Sequence, residues 1–363
     1  MTIDEVKIPR FHTALDAPRV IGQYRVAGPK TFRRSCRMLL GSKKKTYPFA
    51  NFGTNMQNWE SSMRQICVAD KGYKMVQVDQ SGADALIVAY TCRAGKYRKL
   101  FENGIKPHTY IALKLFKEEW KKHVEPSIID LYQTLPIEEL AKHPEWKKVN
   151  NLIKGSDKWP PNKRYYYIGK KVVHAGSYGM MGPRMVQVVL EETGGIVLLS
   201  KKDAETYIIT FKQIEFPEIA EWNVKIGITA EKDGVIRNLF GYPFNITGKL
   251  NSNDMKDLIA FGPQSTVAGI TEQALCDLQD YIEENNKDWH ILAETHDSIL
   301  AECPDGEEQE LGKMMKQFIE IELTSPTDGV KFRMRSEAVT GYNWGHYDEK
   351  ENPQGLQELK IAA

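Results

Sequence analysis

Two short segments of the chain each place one aspartate beside an apolar run of the kind that forms a strand. Val78-Asp79-Gln80-Ser81 ends the first run, and Thr295-His296-Asp297-Ser298 separates residues 291–294 from residues 299–302. Two carboxylates that converge at the end of a sheet form a site for a pair of Mg²⁺ ions, which is the chemistry of phosphoryl and nucleotidyl transfer. A single Asp is more often a turn or capping residue, but two that follow apolar runs favour metal binding.

Residues 170–182, KKVVHAGSYGMMG, predict a helix that grips phosphate. Lys170, His174 and Tyr178 lie four residues apart and therefore share one face of such a helix. The plain alternative is a basic helix face in contact with solvent. The order of the three segments along the chain is the order that a nucleotide polymerase requires.

The surrounding pattern predicts the elements that must position these residues. Residues 74–78 form a buried strand that ends at Asp79, and residues 291–302 form a hairpin whose turn holds His296 and Asp297 at its tip. Helices are predicted over 84–92, 108–122, 163–181 (closed by Gly182-Pro183), 202–222 (broken at Pro217) and 264–286, with short amphipathic pieces in a proline-punctuated surface excursion over 123–162.

The composition is that of an ordinary folded protein and argues against a membrane protein. The chain has 363 residues, of which 41% are hydrophobic and 27% charged, enough for a large core and two or three subdomains. No run of about 18 apolar residues occurs, so no membrane span is expected, and the amino terminus lacks the apolar core of a signal peptide. The five scattered cysteines predict reduced thiols in an intracellular compartment.

Residues 17–59 contain no Asp or Glu, although the net charge of the whole chain is only +1. Nine Lys and Arg residues lie in this stretch and are interleaved with aromatic and amide residues such as Phe32, Asn55 and Gln57. Because cations neutralise phosphates while rings and amides contact sugars and bases, the stretch predicts a nucleic-acid groove. A solvated basic loop is the alternative.

Taken in order, these segments resemble the polymerase domain of family A DNA polymerases, the group that includes bacterial DNA polymerase I and several phage replicases. Residues 78–84 (VDQSGAD) resemble the first metal motif, D-Y-S-Q-I-E, residues 170–182 resemble the fingers helix, R-x-x-x-K-x-x-x-[FY]-G, and residues 296–298 (HDS) resemble the second metal motif, H-D-E. Flanking segments agree: residues 31–36 (TFRRSC) with T-G-R-x-S-S, 55–58 (NMQN) with N-L-Q-N, 263–266 (PQST) with M-Q-G-T and 341–344 (GYNW) with G-x-N-W.

The resemblance implies a role for each site residue. Asp79 and Asp297 would be catalytic and would hold two Mg²⁺ ions, for which Mn²⁺ can substitute, with the Gln80 carbonyl as a further ligand. Lys170 and His174 would be catalytic contacts to the triphosphate. Further nucleotide contacts would come from Gln80, Asp84, His108 and Tyr178, and nucleic-acid contacts from Arg33, Ser35, Asn55, Gln57, Asn58, Lys256, Gln264 and His296. The implied partners are primer–template DNA and dNTPs, and the implied location is the cytoplasm of a bacterial or phage-infected host cell.

The chain departs from the family pattern at positions that bear on the chemistry. His174 stands where the family has Lys, so the grip on phosphate is predicted to depend on pH. Asp84 aligns with the Glu that excludes a ribose 2′-hydroxyl and is one methylene shorter, which predicts a looser sugar gate. Tyr178 implies tolerance of dideoxynucleotides, Gly182 replaces a Tyr that stacks on the template, and Ser298 replaces the Glu beside the second aspartate.

The resemblance predicts an α+β fold of the right-hand polymerase type, with an antiparallel palm sheet, helical fingers and a thumb that is reduced or absent. The predicted domains are an N-terminal extension (1–30), a first palm segment (31–100), fingers (101–250) and a second palm segment (251–363). Thirty residues precede Thr31, too few for the family's exonuclease or thumb. We therefore expect a companion thumb, exonuclease or processivity subunit, a minimal enzyme of low processivity, or a fragment.

The leading interpretation is a template-directed DNA polymerase without a proofreading exonuclease. A single-subunit RNA polymerase shares the two aspartates and an HDS-like motif, although Asp84 and the segments at 31–36 and 55–58 favour DNA. RNA-templated synthesis stays open because no residue reads the template sugar decisively. From a different class, an inactive nucleic-acid-binding accessory subunit is the remaining interpretation.

Overall fold

The computed structural model describes residues 23–25, 29–37, 56–59, 61–248 and 250–361. Its strands are β1 (Gln23–Arg25), β2 (Ser35–Arg37), β3 (Tyr73–Gln80), β4 (Val235–Arg237), β5 (Pro243–Asn245), β6 (His290–Glu294), β7 (Ser298–Pro304), β8 (Glu322–Thr324), β9 (Lys331–Arg333), β10 (Ser336–Gly341) and β11 (Gln357–Glu358). Its helices are α1 (Ser61–Arg64), α2 (Ala83–Thr91), α3 (Lys96–Glu102), α4 (Pro107–Leu115), α5 (Lys117–Trp120), α6 (Pro126–Thr134), α7 (Ile137–Lys142), α8 (Trp146–Gly155), α9 (Tyr165–Ser177), α10 (Gly182–Glu192), α11 (Lys201–Ile209), α12 (Pro217–Asp233), α13 (Ser252–Glu284) and α14 (Glu308–Ile319). A π-helical segment (Thr210–Glu215) joins α11 to α12.

Five strands form one antiparallel sheet in the order β11-β10-β3-β7-β6. The β3 strand lies at its centre, with Val76, Val78 and Gln80 buried on one face and Met75 buried on the other. One face is covered by α14, which comes so close that a Cβ on Gly312 would lie 3.7 Å from Val76 Cγ1. The predicted strand before Asp79, the predicted hairpin and the antiparallel α+β architecture are therefore confirmed.

The opposite face of the sheet carries a separate apolar cluster. It contains Cys36, Met56, Trp59, Met75, Ala293, Leu300, Trp344 and Leu356. Because Cys36 and Met56 belong to the amino-terminal segments around TFRRSC and NMQN, this cluster anchors those two segments on the sheet.

The helical part of the chain has an aromatic core of its own. Tyr97 is fully buried, and the ring centroids of Phe216 and Phe211 lie 4.9 and 6.2 Å from its own. The proline-rich stretch predicted as a surface excursion forms α6, α7 and α8. These helices are part of the core, since Tyr132, Leu140 and others are fully buried.

Several predicted helix boundaries were wrong. The helix predicted over 108–122 is interrupted at Phe116, whose ring packs on Tyr165 at 4.7 Å. The helix predicted to run to Met181 ends at Ser177, and Gly179 then adopts a φ of 72°. Gly182-Pro183 opens α10 instead of closing α9, because proline is well tolerated in the first turn of a helix.

The helix predicted to begin at Gln264 begins twelve residues earlier, at Ser252, and continues through Pro263. An interior proline removes one hydrogen bond and costs about 3 kcal/mol in a helix. Leu258, Phe261 and Val267, which flank Pro263, are fully buried, so packing on both sides offsets that cost. The sequence pattern alone does not contain this information.

The chain divides into two compact units. The sheet unit comprises the described residues within 1–83, 264–323 and 333–363, and the helical unit those within 84–263 and 324–332. The predicted boundaries at 100/101 and 250/251 place α2, α3 and the start of α13 with the sheet, whereas the contacts place them with the helices. The naming of these units as palm and fingers stays a prediction. Among the described residues, no helix is long and apolar enough to cross a membrane.

Candidate active site

The pairing of β3 with β7 brings the two predicted metal-binding aspartates to the same end of the sheet. Asp79 lies opposite Ser298 in the antiparallel register. The main-chain N–H of Gln80 donates to the carbonyl of Asp297 at 2.9 Å. The two aspartates, which are far apart in sequence, therefore lie on adjacent positions of one strand pair.

The turn that carries Asp297 has an uncommon backbone. His296 has a φ of 68°, in the left-handed region that few residues other than glycine adopt. Both peptide groups of His296 are held by side chains: its N–H donates to Glu294 Oε1 at 2.5 Å, and its carbonyl accepts from Thr271 Oγ1 at 3.2 Å. The side chains of β6 and α13 therefore fix the turn.

Gln80 is held by its side chain inside the protein. The residue is buried, and Nε2 donates to Thr271 Oγ1 at 2.7 Å. Because Thr271 also donates to the His296 carbonyl, the end of β3 and the turn share one anchor on α13. Because its side chain is held internally, Gln80 can offer a metal ion its main-chain carbonyl, which is the contact predicted from the sequence.

A third charged group near the aspartates, Arg64, was missed by the sequence prediction. Burial lowers the pKa of Arg64, while Asp79 and Asp297 act in the opposite direction, so both carboxylates lie within electrostatic range of the guanidinium. The guanidinium also stacks over the ring of Trp344, 4.7 Å from its centroid. No local pattern marks Arg64, because its partners lie in three distant parts of the chain.

Trp344 is bonded to the two strands that carry the aspartates. Its Nε1 donates to Gln77 Oε1 at 2.8 Å, and Gln77 Nε2 donates to Ser298 Oγ at 3.2 Å. Ser298 Oγ in turn shares a short hydrogen bond with Thr295 Oγ1. The Arg64 guanidinium therefore stacks on a ring that hydrogen bonds connect to the pair of strands β3 and β7.

The donor set fits a hard divalent cation. Mg²⁺ prefers oxygen ligands and is usually held by one or two carboxylates, with waters and substrate phosphates completing its shell. Asp79 is exposed and Asp297 is half-buried, so two carboxylates face an accessible site. No group of three or more His, Cys, Asp or Glu side chains able to hold a metal occurs among the described residues. An open pair of carboxylates suits Mg²⁺ better than a closed structural metal site would.

In the helical unit, α9 carries the predicted triphosphate contacts. Lys170 and His174 both lie on it, and Tyr178 follows directly after its last residue. The helix approaches α4 so closely that a Cβ on Gly169 would lie 2.7 Å from the His108 carbonyl oxygen. The rings of His108 and His174 are consequently 5.5 Å apart, so the structure brings both histidines to the same place.

Both histidines are predominantly neutral at pH 7 in this structure. Burial, together with the smaller effects of the nearby His174 and Lys170, lowers the pKa of His108 to about 3. Burial also lowers the pKa of His174, although Asp84 opposes that shift. Nε2 of His108 is buried without a hydrogen-bond partner in the described part of the chain, so its hydrogen-bonding capacity is left unused there.

Asp84 lies at the start of α2 and beside the end of α9. With Val88, Val173, His174 and Tyr178 it lines a narrow crevice. The residue predicted to read the sugar, the ring predicted to stack on the base and the predicted phosphate contact therefore meet at one crevice of the helical unit.

The predicted nucleic-acid contacts of the amino-terminal segments are only partly described. Arg33 and Ser35 are half-buried beside and on β2. The Gln57 side chain is engaged internally, because Oε1 accepts from the Cys36 N–H at 2.8 Å and Nε2 donates to Glu294 at 3.0 Å. Asn55 lies outside the described residues, and of Asn58 only the backbone is described.

The remaining predicted nucleic-acid contacts lie on α13 and on the catalytic turn. Lys256 is exposed, whereas Gln264 and His296 are half-buried. Lys256 belongs to the helical unit, and Gln264 and His296 belong to the sheet unit. Their contacts with nucleic acid stay predictions.

Two charged groups beside the turn were not predicted. Arg34 forms a bidentate ion pair with Glu272, with Nε 2.6 Å from Oε1 and Nη2 2.5 Å from Oε2. Glu294 is 5% exposed, and burial raises the pKa of its carboxyl to about 7, although the His296 N–H stabilises the charged form. A carboxyl with such a pKa changes charge near neutrality.

An antiparallel sheet that presents two aspartates, accompanied by helices that carry a basic face, defines the fold class of the right-hand nucleotide polymerases. The family model for DNA polymerase family A matches residues 153–346. This match covers more than half of the chain, and the chain belongs to that family.

Two further similarities agree with this membership. The chain is 21% identical over 264 residues to the thermostable DNA polymerase I of Thermus filiformis, a match that covers 71% of this chain and 26% of that protein. Its fold is similar to that of the POL domain of Pol1 from M. smegmatis, solved in complex with DNA primer-template and dNTP, with a TM-score of 0.62 and 17% identity over 91% of this chain and 49% of that one. The chain thus spans about a quarter of the first relative and about half of the second.

Proposed function

We propose that this chain carries a template-directed DNA polymerase activity, which joins deoxynucleotides to a primer 3′-hydroxyl with the help of two Mg²⁺ ions. The register of β3 and β7 supports the proposal most directly, since it sets Asp79 opposite Ser298 and beside Asp297. Membership of family A and the likeness to a domain solved with primer–template and dNTP agree with it.

Asp79, Asp297 and the Gln80 carbonyl would hold the two ions. When bound, the ions would lower the pKa of the primer 3′-hydroxyl and neutralise charge on the leaving pyrophosphate. Arg64 keeps a positive charge within range of both carboxylates, which favours their ionised form before any cation arrives. Thr271 and Glu294 hold the backbone that presents Asp297.

The α9 face would bind the triphosphate. Lys170 supplies a permanent charge, whereas His174 is largely uncharged in the free protein because burial lowers its pKa. A polyphosphate beside the ring would favour the imidazolium form. Binding of a dNTP would then be coupled to proton uptake, so affinity should fall as the pH rises.

The other site residues complete the proposal. Asp84 and Tyr178 would contact the sugar and the base of the incoming nucleotide, and His108 would reach its phosphates. Primer–template DNA would contact Arg33, Lys256, Gln264 and His296, among the other positions named above. We assign no exonuclease activity to the described residues.

Primer extension tests the proposal. The purified chain is given a labelled primer on a DNA or an RNA template with Mg²⁺ and either dNTPs or rNTPs. We expect dNTP addition on the DNA template, and a loss of about a thousandfold or more in Asp297→Asn. Asp280→Asn, which changes an exposed aspartate of α13, is the matched control and should leave the rate unchanged.

The same assay separates the alternatives. Primer-independent synthesis from rNTPs would replace the proposal with an RNA polymerase, and extension only on the RNA template would indicate a reverse transcriptase. Binding of the primer–template without extension would indicate an inactive accessory protein.

A further inference from the structure

We propose that Glu294 and Gln57 form a positioning pair for the catalytic turn, which holds His296 in its left-handed conformation and thereby fixes where Asp297 presents its carboxylate. The inference rests on the proposed polymerase function. Neither residue of the pair needs to touch a substrate for this role.

Both oxygens of the Glu294 carboxylate accept hydrogen bonds. Oε1 accepts the main-chain N–H of His296 at 2.5 Å, and Oε2 accepts Nε2 of Gln57 at 3.0 Å. A non-glycine residue in the left-handed region costs about 1–3 kcal/mol and persists only where its surroundings enforce it. The charge-assisted bond from the His296 N–H to Glu294 supplies such enforcement one residue before Asp297.

The Gln57 amide is not free to reverse its orientation. Its Oε1 accepts the main-chain N–H of Cys36 at 2.8 Å, a group that can only donate. Nε2 must therefore point the other way, where it also lies 3.2 Å from the Arg34 carbonyl. The pair consequently has a fixed polarity, with a donor at position 57 and an acceptor at position 294.

The main chain of Glu294 is held by hydrogen bonds that do not depend on its side chain. The Tyr24 hydroxyl donates to the Glu294 carbonyl at 2.9 Å and lies 3.1 Å from the Glu294 N–H, which donates to it. The end of β6 is therefore clamped whichever side chain it carries. Loss of the carboxylate should release the turn while the strand stays in place.

The Glu294 carboxylate is buried, and its hydrogen bonds come from neutral donors. The Arg34 guanidinium acts on it electrostatically but is committed to Glu272. Donors from the backbone and from an amide are thus what hold the buried carboxylate. Because its hydrogen bonds come from the His296 N–H and the Gln57 amide, the Glu294 carboxylate can fix the position of the turn relative to residue 57.

The first experiment replaces each member by alanine. In Glu294→Ala and Gln57→Ala we expect the single-turnover rate to fall about 10–100-fold, the usual effect of removing a partner that orients a metal ligand. The KM for dNTP should stay within about threefold, since the pair orients the metal site and not α9. The affinity of the free protein for Mn²⁺, measured by electron paramagnetic resonance, should weaken about 10–100-fold as well.

Asp277→Ala is the matched control. It removes a half-buried carboxylate of α13 that accepts from the Gln273 side chain at 2.7 Å, and it takes away no hydrogen bond of the turn. We expect its rate and its Mn²⁺ affinity to stay near those of the wild type. Thermal midpoints of all variants show whether any loss reflects unfolding.

The second experiment exchanges the polarity of the pair. Glu294→Gln alone sets an amide donor against the Gln57 donor, and Gln57→Glu alone sets two carboxylates together. The double variant restores one donor and one acceptor between the two side chains and keeps an acceptor for the Cys36 N–H, while it loses the donor that faces the Arg34 carbonyl. We expect it to turn over faster than either single variant, which a purely additive loss of stability would not produce.

Two outcomes would overturn the inference while the wild type remains active. One is a turnover within about twofold of wild type in both alanine variants, well short of the loss expected for an orienting partner. The other is an exchanged pair that is slower than both of its parents. An inactive wild type would instead overturn the proposed function, and the Mn²⁺ titration would then decide the positioning role alone.

Discussion

The two histidines beside α9 carry little charge in the free protein, although they stand where a triphosphate is expected to bind. Burial lowers the pKa of both rings, and their mutual approach at 5.5 Å adds to the effect on His108. An anionic ligand would reverse that balance, because it favours the protonated ring. The two histidines therefore become positively charged only when the ligand binds.

The first prediction concerns His174. Its pKa lies below the ordinary value of 6.5, so protonation on nucleotide binding becomes harder as the pH rises, and the KM for dNTP should increase between pH 6 and pH 8. In His174→Lys the charge is present throughout that range, and the KM should be flat. Steady-state primer extension at several pH values measures this, and equal slopes in both proteins would contradict the assignment.

The second prediction concerns Glu294, whose carboxyl has its pKa raised to about 7 by burial. Its ordinary value in the unfolded chain is near 4.5, so between those values the folded protein binds more protons than the unfolded chain. Stability from this group is therefore complete below about pH 4.5 and declines as the pH rises to about 7. Glu294→Gln lacks this decline.

Urea unfolding at pH 5 and pH 8 checks the Glu294 prediction. The free energy of unfolding of Glu294→Gln should improve relative to wild type by about 2 kcal/mol between the two pH values. Identical pH dependence in the two proteins would show that the carboxyl titrates normally.

At the scale of elements, the site depends on how closely one helix approaches another. The contact of α9 with α4 at Gly169 leaves no room for a side chain, since a Cβ would lie 2.7 Å from a carbonyl oxygen of the α4 backbone. Backbone cannot move as cheaply as the end of a side chain can. The spacing of His108 and His174 is thus set by a glycine.

The third prediction uses this glycine. Gly169→Ala should destabilise the protein by about 1–3 kcal/mol and raise the KM for dNTP, because α9 must shift away from His108. Gly155→Ala, in α8, is the matched control: a Cβ there meets no atom within 4 Å, and a better helix former should stabilise by up to about 1 kcal/mol. Urea midpoints that move in the same direction for both variants would contradict this packing.

Helices and strands could be predicted where the sequence pattern is local. Predictions were wrong where contacts with distant parts of the chain determine the bounds of an element. The apolar run of residues 74–78 and the repeat on either side of the turn predict β3, β6 and β7, and all three are confirmed. The helix predicted to begin at Gln264 instead runs from Ser252 through Pro263, where burial of Leu258 and Phe261 stabilises it. Propensity is a weak guide when tertiary packing opposes it.

At the scale of the whole molecule, the sheet joins residues that the sequence separates. The metal motifs could be predicted because each has its own short signature, and the strand register then fixes their meeting at Asp79 and Ser298. Arg64, Glu294 and Thr271 could not be predicted, since their importance arises only from neighbours in other parts of the chain. Residues that bear the chemistry have local patterns, and residues that orient them do not.

The central claim is that Asp79 and Asp297 act as one metal site. Single-turnover dNTP incorporation by Asp79→Asn, Asp297→Asn and the double variant tests it most directly. Residues that act as a unit show grossly non-additive losses, so each single change should cost about a thousandfold or more and the double variant should lose little beyond that. Losses that multiply, or a single variant that keeps the wild-type rate, would contradict the account.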